Sequence, residues 1–214
     1  MSNLIAPHGG KGLVCALLEG AELDAEKKKA EELKKISISG RENGDLIMLG
    51  IGGFSPLNGF MGKASWTRVC EEFLLENGTF WPIPVTLSAD QVDADAINLG
   101  DEIALVNPDG ETMATMKVEE KFEMSEADKK WECEKCYRGQ GEDSEGDNFW
   151  KIAMEDHPGV QMVMGQKAIN LAGPVKVLSE GDFPERFPGV YMSPAQSRAI
   201  FEEKGWTTIA ALQL

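Results

Sequence analysis

Twelve consecutive residues, Gly50-Ile51-Gly52-Gly53-Phe54-Ser55-Pro56-Leu57-Asn58-Gly59-Phe60-Met61, carry no charge in a chain that is 27% charged. Such a gap does not suit an open surface. Glycines at 50, 52 and 53 permit positive φ or a close approach by another segment. Ser55 precedes a proline and is therefore extended or turning, and Asn58-Gly59 is a turn dipeptide. Phe54, Leu57, Phe60 and Met61 are the expected anchors. Physically this is a buried structural turn. Gly53→Val, at an expected positive φ, or Phe60→Ala should then destabilise the domain rather than alter a catalytic step.

Around this turn the pattern is mixed. Ala21–Ile36 reads as a helix with Leu23, Ala30 and Leu33 at helical spacing, its charge run a solvated face. Leu46–Leu49 reads as a short buried strand, and Phe80–Leu87 as an edge strand, because Pro82 and Pro84 remove donors on one side. Glu102–Val106, Asn107-Pro108-Asp109-Gly110 and Glu111–Val118 form the clearest hairpin. Ser125–Cys136 predicts a helix, Gly139–Asn148 an acidic loop, and Val160–Met164 and Leu171–Leu178 further strands. Phe183–Gly189 is a proline-punctuated connector. Beyond it, Ser193 is an N-cap, Pro194 the first helical residue, Gln196 the capping-box partner and Gly205 the C′ residue. Thr207–Leu214 reads as an apolar strand of a parallel sheet.

Composition narrows the function. A net charge of −15 opposes binding to nucleic acid or to an anionic membrane. No apolar run approaches the ~20 residues that span a bilayer, and no signal peptide is visible at the start. Cys15, Cys70, Cys133 and Cys136 are unevenly spaced, which fits reduced cytoplasmic thiols.

Chemical candidates are few. Cys133-Glu134-Lys135-Cys136 is a CxxC, but a lone pair supplies two of the four ligands zinc takes, and its acidic flanks oppose a reactive thiolate. No metal is expected there. His157, before Pro158-Gly159, reads as a hydrogen-bonded structural histidine at the entrance to a turn. His8 lies in Pro7-His8-Gly9-Gly10-Lys11-Gly12, which lacks the phosphate-loop pattern and reads as an exposed arm able to contact another subunit.

Five segments together carry a resemblance. They are Gly53–Met61, Gly78-Thr79-Phe80-Trp81-Pro82-Ile83-Pro84-Val85-Thr86-Leu87, His157-Pro158-Gly159-Val160, Leu171-Ala172-Gly173-Pro174-Val175, and Ser193-Pro194-Ala195-Gln196 with Gly205-Trp206. In this order they resemble the ATP sulfurylases (sulfate adenylyltransferases), those of sulfate-reducing and sulfur-oxidising bacteria above all, from about Leu4 to Leu214.

The resemblance implies an α+β fold. Residues 1–175 would form a PUA-like β-barrel domain with attached helices. Residues 176–214 would be a linker and the first helix and strand of an α/β nucleotidyltransferase domain. It implies an enzyme that joins sulfate to the α-phosphate of ATP with magnesium assistance, releasing pyrophosphate. ATP with Mg and sulfate are then substrates of the full-length family, and no cofactor is expected on this chain. The family's motif reads Gln-x-Arg-Asn-Pro-x-His-x-x-His. Gln213 stands at its first position, a sulfate-binding glutamine by resemblance, and Leu214 stands where many relatives have threonine.

The sequence runs no further, so the expectation is an N-terminal portion that is inactive alone, from a cytoplasmic homo-oligomer. The rival reading is a stand-alone, non-catalytic binding or scaffold module with a PUA-like fold. PUA-like folds elsewhere bind RNA, a role the charge argues against.

Overall fold

Ser39 opens the first helix with a side-chain cap: its hydroxyl accepts from the Glu42 N–H, and the Glu42 carboxylate accepts from the Ser39 N–H in return. The same reciprocal cap starts helices at Ser125 with Asp128 and at Ser193 with Gln196. The computed structural model describes residues 4–142, 148–152 and 157–211. In chain order the elements are α1 (Gly20–Ala30), β1 (Lys34–Ser37), α2 (Gly40–Gly50), β2 (Gly59–Phe60), α3 (Lys63–Glu72), β3 (Leu87–Ala89) and α4 (Gln91–Asp95). They continue with β4 (Glu102–Val106), β5 (Thr112–Lys117), β6 (Glu120–Glu123), α5 (Glu126–Cys136), β7 (Arg138–Glu142) and β8 (Asn148–Ile152). The last are α6 (Pro158–Met164), β9 (Ile169–Val177), α7 (Phe183–Arg186) and α8 (Pro194–Glu203).

Two compact units emerge. The first takes the described residues of Met1–Gly59, Glu102–Met116 and Pro174–Leu214. Here β1 runs parallel to β4, with Ile36 opposite Leu105, and β5 runs antiparallel to the end of β9, with Thr115 opposite Lys176. The β4–β5 turn is the one expected: the Asn107 N–H donates to the Glu111 carbonyl and its side-chain oxygen accepts from the Asp109 and Glu111 N–H groups. Ile36, Leu46, Leu49, Leu105, Met113 and Val177 are among its most deeply buried side chains.

The second unit takes Phe60–Asp101 and Lys117–Gly173. Its centre is the beginning of β9, flanked antiparallel by β3 (Leu87 opposite Leu171) and by β6 (Phe122 opposite Asn170). Trp66, Cys70 and Met124 form one buried cluster, and Cys133, Val160 and Val163 another. Separately, β7 and β8 pair antiparallel. Among the described residues no helix is long and apolar enough to cross a membrane.

Several segments differ from the sequence reading. Leu46–Leu49 is helical, because the Ser39–Glu42 cap nucleates α2 and Leu46, Ile47, Leu49 and Gly50 then share its buried face. Val160–Met164 is also helical. The His157 ring nitrogen caps α6 and Pro158 starts it, so Val160 and Val163 are an i,i+3 pair and not strand neighbours. The expected helix over 21–36 stops at Ala30, and Lys34–Ser37 turns into the parallel strand β1. Residues 81–86 form no strand, consistent with prolines at 82 and 84; Phe80 makes only an isolated bridge to Leu74, and the strand β3 starts at Leu87. Within the expected acidic loop, Gly139–Glu142 and Asn148 are strand, while 143–147 lie outside the described residues.

The charged face of α1 is not wholly solvated either. Glu26 is buried: its carboxylate accepts from the Thr115 hydroxyl at 2.8 Å and pairs with Lys176 at 2.9 Å and Lys29 at 3.4 Å. Burial alone would raise its pKa, but the Lys176 ammonium, the Thr115 hydroxyl and Lys29 together hold the carboxyl below its ordinary value.

Asp45 on α2 shows the opposite balance. Burial pushes its carboxyl up to about 6, against the Arg41 guanidinium 3.2 Å away and with help from the Glu42 charge. A raised carboxyl pKa means that the unfolded chain ionises first as pH rises. The cost to stability therefore grows between the unfolded pKa near 4 and the folded value near 6, and is fully present at neutral pH. Asp45→Asn is expected to stabilise the protein by about 2–3 kcal/mol at neutral pH and by little at about pH 4. Denaturant melts of both proteins across that range check it, and a pH-independent gap between them would contradict the assignment.

Candidate functional site

The uncharged turn is built from backbone outward. After α2, the Ile51 N–H bonds the Ile47 carbonyl, Phe54 N–H reaches Met48, and Ser55 N–H reaches Gly52. The Ser55 hydroxyl then locks the turn: it donates to the Gly52 carbonyl at 2.6 Å and accepts from the Val14 N–H at 2.9 Å. The Ser55-Pro56 peptide is cis. Phe60 and Met61 are buried as expected, whereas Phe54 and Leu57 are only half-buried.

Gly50 and Gly52 explain why the segment is glycine-rich. A Cβ on Gly50 would press on the Val177 side chain at 3.0 Å, and Gly52 adopts φ +82 with Cys15 Sγ 2.8 Å from where a Cβ would sit. Gly53, expected at positive φ, is not there: a Cβ would crowd only the flexible end of Met48 and meet the Met48 carbonyl at an ordinary 3.5 Å. The strained position is one residue earlier.

The N-terminal arm lies on this turn. Gly9, at φ +88, packs over the Pro56 ring, and Arg198 donates to the Ile5 carbonyl at 2.8 Å. The arm is thus held by its own chain at both of these points, and His8 itself is exposed.

Beside the turn, in the same unit, is a cleft of about 340 Å³ lined by Cys15, Gly50, Glu180, Tyr191, Ser193 and Gln196 among others. Its polar atoms largely satisfy one another. The Tyr191 hydroxyl donates to Glu180 at 2.8 Å, and Ser193 and Gln196 cap each other. Burial first, then the Glu180 carboxylate, pushes the Tyr191 phenol up to about 12. Glu19 and Glu180 line the cleft and no Lys or Arg does. A cleft with that charge repels sulfate or a nucleotide phosphate. The connector forms part of its wall through Pro184 and Tyr191: the Phe183 ring contacts Tyr191 at 6.3 Å and Phe187 at 6.1 Å, and α8 starts at Pro194 soon after. The Tyr191–Glu180 contact had no signature in the sequence, since eleven residues and a folded turn separate its partners.

α8 forms as its cap predicted, with Gly205 at φ +65. Residues 207–211 were expected as a strand; they pair with no strand among the described residues and are exposed. A parallel strand exists only through its ladder, and nothing in this unit supplies one. Gln213 lies outside the described residues.

The CxxC does not converge. Cys133 packs with Val160 and Val163, and burial, then the Glu132 charge, pushes its thiol up to about 11. Cys136 turns to the Trp66 cluster. Among the described residues no group of three or more His, Cys, Asp or Glu side chains could hold a metal ion. His157 Nδ1 accepts from the Gly159 N–H at 3.1 Å, and its ring meets Tyr137 in a tilted contact at 5.5 Å, a structural cap.

A mixed sheet with attached helices is an α+β arrangement. Residues 5–180 match the family described as PUA-like domain, and the chain belongs to that family. A chain of the hexameric APS kinase from Thiobacillus denitrificans shares the fold, with a TM-score of 0.68 over 95% of this chain and 32% of that one at 24% identity. Over its full length the chain is 68% identical to a sulfate adenylyltransferase of Desulfatibacillum aliphaticivorans and 65% identical to one of Desulfovibrio desulfuricans, covering 50% of each. A third, from Chlorobaculum tepidum, is 51% identical over 98% of the chain. The chain spans about half the length of the curated relatives it matches.

Proposed function

We propose that this chain is the N-terminal part of a sulfate adenylyltransferase, which joins sulfate to ATP and releases pyrophosphate. The observation that carries the reading is identity of 68% and 65% across the whole chain to two proteins of that name. On this reading residues 1–175 are the PUA-like domain, and residues 176–214 are the linker and opening of the α/β catalytic domain.

The module's contribution is positional. The Tyr191–Glu180 bond and the ring contacts fix the connector, and the Ser193 cap fixes where α8 starts; on this reading the segment after α8 belongs to the catalytic domain. There Gln213 offers an amide that can donate to a sulfate oxygen without adding charge. Sulfate and Mg-ATP are substrates of the whole protein. The acidic lining of the cleft, with Glu19 and Glu180, supports an anion site elsewhere in the whole protein. Net charge −15 supports a role without nucleic acid. A cytoplasmic homo-oligomer is the assembly we assign to the whole protein.

Two measurements test this. The purified chain with ATP, magnesium and sulfate should release no pyrophosphate above background, and turnover by the chain alone would refute the division of labour. Fused to the second half of the 68% identical relative, the chain should form adenylyl sulfate, and Gln213→Ala should lower the fusion's rate about 100-fold or more. A folded but inert fusion would instead favour a scaffold module.

A further inference from the structure

Helices α3 and α5 bring together two cysteines that lie 66 positions apart: Cys136 Sγ sits 4.0 Å from Cys70 Sγ. Cys70 is fully buried, whereas Cys136, in the last turn of α5, is partly exposed. Both belong to the cluster built on Trp66 and Met124. We propose that Cys70 and Cys136 are a redox-active thiol pair that closes to an intramolecular disulfide on encounter with a small-molecule disulfide. The site is a property of the PUA-like module and holds whether or not the chain serves sulfate adenylyl transfer.

The sulfurs are near enough to close. A disulfide holds them ~2 Å apart, so about 2 Å must be gained by rotating two short side chains on helices already in contact. Accessibility sets the order of events. The Cys136 thiolate attacks one sulfur of the reagent, forming a mixed disulfide and expelling one thiolate. Cys70 then gives its proton to solvent, attacks the Cys136 sulfur and expels the second thiolate. Two protein thiols are oxidised, and the reagent takes the two electrons and leaves as two thiols.

The second step is the slow one. The Cys136 thiol at 4.0 Å, burial, and the Glu132 and Glu71 charges all hold Cys70 well above the ordinary thiol range. Closure therefore accelerates as pH rises. The neighbouring CxxC is not the reacting pair, because Cys133 faces Val160 and Val163 instead.

The test treats the folded protein with oxidised glutathione, alkylates the remaining thiols and maps peptides without reductant. The expected product is a peptide pair joined through Cys70 and Cys136, formed faster at higher pH and reversed by dithiothreitol. The oxidised form should melt several degrees above the reduced form. Cys133→Ser should retain the cross-link and Cys136→Ser should abolish it. Because the wild-type map decides the pairing, a Cys70 variant that fails to fold leaves the test intact. The proposal is overturned if Cys136 retains glutathione after long incubation at raised pH, or if the bridge joins Cys133 to Cys136. A bridge between chains through Cys15, or four free thiols in a protein that is still folded, overturns it equally.

Discussion

Gly173→Ala is expected to lower the melting temperature by on the order of 10 °C, although it adds a single methyl group. Gly173 has φ +153, a conformation L side chains rarely adopt, and a Cβ there would collide with the Lys117 carbonyl oxygen. The obstacle is backbone and cannot rotate away. It is also pinned, because the Glu119 N–H donates to the Ala172 carbonyl at 2.8 Å, so retreat breaks the β6–β9 ladder. Strain of ~1–3 kcal/mol from the dihedral and a similar amount from overpacking add to roughly 3–5 kcal/mol. Thermal melts of both proteins decide it, and a difference within about 2 °C would show that the strand relaxes at little cost. Gly53→Ala is the matched control, since its Cβ would clash only with the mobile end of Met48 and meet the Met48 carbonyl at an ordinary 3.5 Å.

Trp66 carries the second large effect. Its ring is almost fully buried, with Trp131 at 5.0 Å and the Lys63 ammonium at 4.1 Å, and its indole N–H donates to Glu132 at 2.6 Å. Glu132 is itself 1% exposed, so the bond is shielded from bulk solvent. Trp66→Ala is expected to cost about 4 kcal/mol or more, through the cavity and the lost donor together. Trp66→Phe separates the two: it keeps most of the apolar bulk, removes the donor and should cost about 2 kcal/mol. A double-mutant cycle with Glu132→Gln should show coupling above about 1 kcal/mol. A Phe variant as stable as wild type, with no coupling, would mean that the indole N–H contributes nothing.

Much of the local structure was legible because its causes are local. The Asn107–Gly110 turn, the α5 helix and the Ser193–Pro194–Gln196 start of α8 depend on residues within a few positions of each other. The same chemistry at Ser39–Glu42 and at His157-Pro158 was also present in the sequence. Outweighed there by short apolar runs, it left Leu46–Leu49 and Val160–Met164 read as strands. Four or five apolar residues fit either period, and the cap is what breaks the tie. Resemblance supplied the family and the expected role of Gln213; neither follows from periodicity or charge.

By itself, then, the sequence determined the caps, the turns, the glycine-rich reversal after α2 and the acidic character that disfavours nucleic acid. Only the tertiary structure decided which charges are buried and which sulfurs meet. Glu26 looks like any surface acid on a lysine-rich helix until β5 and β9 bring Thr115 and Lys176 to it across 89 and 150 positions. Cys136 looks like half of a CxxC until packing turns it to Cys70 and sends Cys133 to another cluster. Capping and turn energies act over three or four residues and are written in the chain. Burial, ion pairing and thiol contact depend on neighbours that only the packing of sheets and helices supplies.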